Sequence, residues 1–309
     1  MAKAASFKSW VERPEPGMLN YVQISFNTVR SRYWPLIKSL QTGLLLTTGV
    51  AGYMSCRCPG MSWQNLLGLM GSLSLAISGS TVLNMWYDRD IDARMQRTCW
   101  RPLPAGLVSP GGALGLGLAL SVIGVAWALA LDLLYGAVVF FGLFSDLVIY
   151  TIWLKRRTAW SIVWGGIAGG MPVLAGRVLG LGQVDGIGLL LSLAVLFWIP
   201  THIMTFNLRY LADYQQAGIP TFPAAYGFPA TRLAIALSSL LAGLAMAAAV
   251  YWVGVRAGYL HLLALLSSGL LLLAVGSVVR PSERVNFSLF KYASLYMLSA
   301  MLLLIFQAI

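Results

Sequence analysis

Residues 84–106 read NMWYDRDIDARMQRTCWRPLPAG and hold three acids, Asp88, Asp90 and Asp92, among four arginines, Arg89, Arg94, Arg97 and Arg101. Asn84, Asp88 and Asp92 are spaced i, i+4, i+8. On a helix they stack along one face, each turned about 40° from the last. Three oxygen side chains on one face suit a hard cation such as Mg²⁺, which takes carboxylates and then substrate phosphates. Asp90 points the opposite way on such a helix and is expected to pair with Arg94 in solvent. Arg97 and Arg101 lie one turn apart, just past the acids, and their planar guanidinium forks match phosphate oxygens. Pro102 and Pro104 then break the helix, and Gly106 frees the backbone. The plainer alternative is that acids and bases at a membrane edge simply neutralise each other.

The surroundings make this stretch unusual. The chain has 309 residues, of which 58% are hydrophobic and only 10% charged. A soluble protein is roughly a quarter charged. Long apolar runs recur from residue 36 to the C-terminus, most of them able to cross a hydrocarbon core of about 30 Å. Runs such as LLALLSSGLLLLAVGSVV do not alternate as barrel strands would. The expectation is an all-α, polytopic integral membrane protein, with a cytoplasmic N-terminal segment over 1–35 and one transmembrane domain over 36–309. Glu12 and Glu15 in the N-terminal segment argue against a transit peptide, and the late first apolar run argues against a secretory signal. The three cysteines, Cys56, Cys58 and Cys99, have neither zinc nor thioredoxin spacing and read as free thiols.

Nine spans are expected, at about 36–54, 63–86, 107–131, 133–153, 161–182, 186–210, 229–254, 259–279 and 287–308. Sorting the loops then places all but Arg57, Arg177 and Arg256 of the 21 lysines and arginines on one side. The positive-inside rule puts that side, and the N-terminus, in the cytoplasm of a cell membrane, with the C-terminus outside. The net charge of +11 is accounted for by topology and by contact with anionic lipid heads, so membrane lipids and no nucleic acid are the expected partners.

Two further cytoplasmic loops supply parts. YTIWLKRRT brings Tyr150, Lys155, Arg156 and Arg157 to the end of the fourth span, and LRYLADYQQAGIP brings Arg209, Asp213 and Tyr214 to the end of the sixth. Spans two, four and six all descend to the cytoplasm, so their ends can meet around one cavity. Acids for a metal, bases for phosphate and an apolar shaft behind them suit a lipid diphosphate. Asp146 lies inside the fourth span and is expected to face the interior, because intramembrane acids are expensive.

At this point the residues resemble a known family. NMWYDRDIDARMQRTCWRPLPAGLVSP resembles the first aspartate-rich motif of the UbiA superfamily of intramembrane prenyltransferases, and its RT, RPLP and SP elements resemble the branch that farnesylates heme b. YTIWLKRRTAWSIVWGGIAGGMPVLAG, FWIPTHIMTFNLRYLADYQQAGIPTFP and FSLFKYASLYML resemble later blocks of that branch. The resemblance covers roughly residues 36–305. It implies nine helices around a cavity open sideways to lipid. It implies Mg²⁺-dependent loss of diphosphate from an allylic prenyl donor, followed by carbon–carbon bond formation on an acceptor.

Asn84, Asp88, Asp92 and Asp213 would then hold Mg²⁺ and diphosphate. Lys38, Arg97, Arg101, Lys155 and Arg209 would hold diphosphate oxygens, and Tyr150 would lie near the reacting carbon. His202 would contact heme iron or a propionate. Tyr150, Trp153, Trp198 and Phe206 are candidates to stabilise the allylic cation. The chain departs from the branch at Ser39 and Leu40 after Lys38, at Arg209 four residues before Asp213, and at Arg177, Thr201, Ile203 and Thr221. Several of these lie on the acceptor side, so a 4-hydroxybenzoate-like quinone precursor or a lipid alcohol stays open as acceptor. A transporter reading fits less well, because transporter sites lie near the midplane between repeats and these acids lie at one edge.

Overall fold

The computed structural model describes residues 32–56 and 62–307, all of whose regular structure is helical. Most of the N-terminal segment, together with Arg57 and Cys58, lies outside the described residues. The long helices are α1 Ser39–Met54, α2 Trp63–Tyr87, α3 Pro110–Leu131, α4 Leu133–Leu154, α5 Ser161–Leu181, α6 Gly186–Arg209, α7 Phe222–Val253, α8 Ala257–Val279 and α9 Glu283–Phe306. Eight of them, α2 to α9, are long and apolar enough to cross a membrane. The first expected span is shorter than foreseen. A 3₁₀ turn at Trp34–Ile37 and a left-handed Lys38 (φ 42°) precede α1, which is left with 16 residues. That is about 24 Å of helix. The seventh expected span starts earlier instead, at Phe222, with a bend where Gly227 takes φ 77°.

Most helices start at a side-chain cap. Ser62, Ser109, Asp132, Asp185 and Ser282 each accept a hydrogen bond from a first-turn N–H of α2, α3, α4, α6 and α9, satisfying donors the helix leaves open. Lateral packing rests on small residues, as it must where lipid removes the hydrophobic drive between helices. A Cβ on Gly176 would overlap the Gly49 carbonyl, and one on Gly52 the Val173 carbonyl, so α1 and α5 meet backbone to backbone. One apolar core is built mainly from α6 to α9 and another from α1 to α5. A cavity of about 640 Å³ lies between them, walled by α1, α2, α4, α5, α6 and α9.

At the end remote from the charged stretch, Arg177 is buried and fully engaged. It grips Asp185 with Nε and Nη2, each at 2.7 Å, and donates from Nη1 to the Ser55 carbonyl (3.0 Å) and hydroxyl (2.8 Å). Burial would raise the Asp185 carboxyl's pKa, but Arg177 and the Gly188 N–H hold it below the ordinary range. This departure from the resembled branch thus ties α1, α5 and α6 together, at the end remote from the charged stretch.

Candidate active site

Two short helices carry the acids at the ends of α2 and α6. α2 stops at Tyr87, Asp88 caps the break, and Arg89–Arg94 forms a separate turn. Leu211–Gln216 follows α6 in the same way. Ile91, Met95, Ala217 and Ile219 pack these two segments together, with Tyr214 against them. The larger of these side chains contribute about 1.5–3 kcal/mol each on burial, against about 0–1 kcal/mol for an exposed ion pair. Apolar contact therefore docks the segments and the charges are aimed by it. The docking brings the Arg97 N–H to 3.4 Å from Asp213 Oδ2.

Each residue of the expected single face, Asn84, Asp88 and Asp92, has its own set of partners. Asn84 donates from Nδ2 to Asp146 Oδ2 (2.7 Å) and accepts from the Thr151 hydroxyl (2.8 Å). Asp88, buried, is paired with Lys155 and lies 3.8 Å from Arg156 Nη2. Asp92, also buried, takes both its hydrogen bonds from Nη1 of Arg101, at 2.9 and 2.8 Å. Asp90 does point away, but its partner is Arg156 (2.9 and 2.8 Å) rather than Arg94. Those hydrogen bonds hold the Asp90 carboxyl below its ordinary pKa. The reason for the change of partner is α4, whose end lies beside the Arg89–Arg94 turn and offers a guanidinium already braced on the Tyr87 carbonyl (3.0 Å).

Lys38 lies within electrostatic reach of Arg101, Lys155, Asp92 and Asp146, joining the same charged shell. Burial disfavours the charge on Lys155, but Tyr150 and Asp88 outweigh it and raise its pKa above the usual lysine value. Arg97 lies over Phe206 (4.7 Å to the ring centroid) and Tyr210 (5.6 Å), and its buried Nε has no hydrogen-bond partner among the described residues. Arg209 is exposed and lies over Phe287 of α9 at 4.2 Å and over Tyr210 at 5.6 Å.

Beyond this shell the cavity begins. Asp146 and Tyr150 of α4 line its polar end, with Ser80 and Thr81 of α2. Leu44, Leu73, Leu143, Ile199 and Met301 line the rest of it, with other apolar residues. Of the four aromatic candidates, Tyr150 and Trp198 line the cavity, Phe206 lies under Arg97, and Trp153 faces outward at 54% exposure. His202 also lines the cavity, stacked between Trp198 (4.9 Å) and Phe290 (4.6 Å), with Nδ1 at 3.1 Å from the Ser294 hydroxyl. Sequence reasoning missed Phe290 and Ser294. Their only signal was position within the α9 block, FSLFKYASLYML.

The UbiA prenyltransferase family model matches residues 44–299. The chain belongs to the UbiA prenyltransferase family. It is 43% identical over 217 residues to a protoheme IX farnesyltransferase of Archaeoglobus fulgidus, covering 69% of this chain and 75% of that one. Among solved structures it resembles digeranylgeranylglyceryl phosphate synthase (TM-score 0.75, 18% identity, 90% of this chain and 98% of that one). It also resembles a UbiA homolog from Archaeoglobus fulgidus bound to GPP and Mg²⁺ (TM-score 0.67, 16% identity, 89% and 99%). The protein is thus a prenyltransferase with the all-helical UbiA fold.

Whether this family member's residues suit a divalent ion is decided by the acids. Among the described residues no three carboxylate, histidine or cysteine side chains converge into a metal cage. Mg²⁺ does not need one, since it takes one or two carboxylates and completes its shell with water and substrate phosphate. Asp88 Oδ1, buried and accepting no hydrogen bond among the described residues, fits that demand. Lys155 beside it, Arg101 on Asp92, and Lys38 within electrostatic reach of both bases fit the phosphates.

Proposed function

We propose that this protein transfers a farnesyl-like group from its diphosphate to heme b, with Mg²⁺ as cofactor. The observation that carries the reading is the junction of Asp88–Lys155 and Asp92–Arg101 with the polar end of an apolar cavity of about 640 Å³. The donor's head would lie among the charges and its chain along the apolar wall. Asp88, Asp92 and Asp213, with Asn84 at their side, would hold the ion. That ion would supply charge stabilisation on the leaving diphosphate. Lys38, Arg97, Arg101 and Lys155 would take the diphosphate oxygens, where fixed charge in a dry site counts most. Tyr150 would lie beside the allylic carbon and offer its ring face to the developing cation.

The acceptor half rests on likeness to relatives named protoheme IX farnesyltransferase and on His202. Trp198 and Phe290 cover both faces of that ring and Ser294 holds Nδ1, so Nε2 is the nitrogen left for an acceptor. Heme b titrated into the solubilised protein should shift its Soret band, and His202→Ala should change that shift. With farnesyl diphosphate and Mg²⁺, mass spectrometry should find heme whose vinyl group has gained the farnesyl chain and a hydroxyl from water, with diphosphate and a proton released. Prenylation of 4-hydroxybenzoate with heme left untouched would refute the acceptor and leave the prenyltransferase.

The charged end is read as cytoplasmic, from the sorting of basic residues. A cysteine at Ser109, which caps α3 on that side, should react with an impermeant thiol reagent only when the reagent is admitted to the cytoplasm. Labelling from outside would invert the topology.

A further inference from the structure

α4 changes its winding at the site. Leu133–Phe144 is α-helical, but Ser145–Leu154 is a π-helix, and the Lys155 N–H reaches back five residues to the Tyr150 carbonyl (2.8 Å). The neighbouring stretch of α2 is regular, so Ser80, Asn84 and Asp88, four residues apart, lie along one side of it. Their partners on α4 and at its C-cap are Asp146, Thr151 and Lys155, separated by five and four residues. Ser80 and Asn84 both donate to Asp146 Oδ2 (2.6 and 2.7 Å), Thr151 donates to Asn84 Oδ1 (2.8 Å), and Lys155 pairs with Asp88.

An α-helix turns about 100° per residue, so 146 and 151 would stand roughly 140° apart and 146 and 155 about 180° apart. They could not all meet one face of α2. A π-helix closes i→i+5 bonds, which sets residue i+5 within about 50° of residue i. Only the wider winding lets all three partners reach α2 together. A π-turn also forfeits the tighter packing of the α form and needs outside contacts to persist.

We propose that Asp146 is a positioning residue: with Thr151 it clamps Asn84 and holds α4 in the π register that aims Tyr150 and Lys155 into the active site. Asp146 touches α2 through one oxygen, Oδ2, and the clamp asks only for a hydrogen-bond acceptor there. It does not ask for the charge. The inference rests on the prenyltransferase reading of the site and is independent of the acceptor.

The test is Asp146→Ala, Asp146→Asn, Thr151→Val and the Asp146→Ala/Thr151→Val double variant. Each is assayed for kcat and KM toward farnesyl diphosphate, for Mg²⁺-dependent binding of farnesyl diphosphate without acceptor, and for Tm. Asp146→Ala should lower kcat about 100-fold, the scale of a displacement of about 1 Å at a reacting centre. It should also weaken donor binding, since Lys155 moves with the segment. Asp146→Asn keeps the acceptor oxygen and should restore both to within about threefold. Thr151→Val should act in the same direction, and the double variant should lose less than the product of the singles because both release one amide. If Asp146→Ala does not fold, Thr151→Val and Asp146→Asn still decide.

Asp146→Asn as inactive as Asp146→Ala would mean that the charge itself acts, and the proposal falls. So would a Thr151→Val variant with unchanged kcat and donor binding, or a fall in Tm alone. Failure of heme prenylation with donor binding still governed by Asp146 would overturn the acceptor and leave this inference standing.

Discussion

Asp88→Ala should lower prenyl transfer by about a thousandfold or more, while Asp90→Ala should stay within a few-fold of the parent. The two acids are two residues apart, and the difference lies in where they point. Asp88 is buried against Lys155, with Arg156 Nη2 3.8 Å away and Oδ1 free of hydrogen bonds among the described residues. Its loss would remove a carboxylate that fits Mg²⁺ and would leave the Lys155 ammonium beside Tyr150 without its counter-charge. Breaking one side of a buried pair costs about 3–5 kcal/mol, and losing a fixed charge at a reacting centre costs about 10²–10³ in rate. Asp90 is half-exposed and bound to Arg156 at the surface, where a pair is worth about 0–1 kcal/mol. Transfer rates at saturating Mg²⁺ and donor, with Tm measured alongside, check this. Equal losses from both variants would show that the site does not distinguish the two sides of the Arg89–Arg94 turn.

Removing Mg²⁺ should weaken binding of farnesyl diphosphate at least about 100-fold, and the donor should tighten Mg²⁺ by the same factor. In the structure the charges satisfy each other: Arg101 holds Asp92 and Lys155 holds Asp88. A donor that draws these bases to its phosphates leaves two buried carboxylates uncompensated, and an ion that draws the acids leaves two buried cations so. Either ligand alone leaves one half of each broken pair uncompensated. Both together exchange one set of neutral pairs for another. Coupling between two ligands is reciprocal in free energy, so calorimetry of Mg²⁺ with and without donor must return the same factor as donor titrated with and without Mg²⁺. Independent binding would mean that the ion pairs are not exchanged. Arg101→Met should reduce the coupling, because Asp92 then has no internal partner to give up.

The sequence by itself determined the membrane-spanning character and the ends of the long helices to within about three residues, except the starts of α7 and α9. Crossing a bilayer demands about twenty apolar residues wherever it happens, and that demand is local. The acid-rich stretch, its bases and the loops that join it were legible because charge is rare in such a chain and cannot be buried without purpose.

Tertiary structure decided the pairings. Asp90 meets Arg156 instead of Arg94, and Asn84 meets Asp146 and Thr151, because those partners come from α4, more than sixty residues away. Their approach depends on a π winding that no local residue pattern announced. α1 is short because the backbone turns left-handed at Lys38, beside charges of the stretch after α2 and of the end of α4. The placing of His202 between Trp198 and Phe290 needed α9 to return beside α6. A sequence shows which groups are costly to bury, since that cost belongs to the group. Which neighbour meets the cost depends on packing between elements distant in the chain, and only the folded helices settle it.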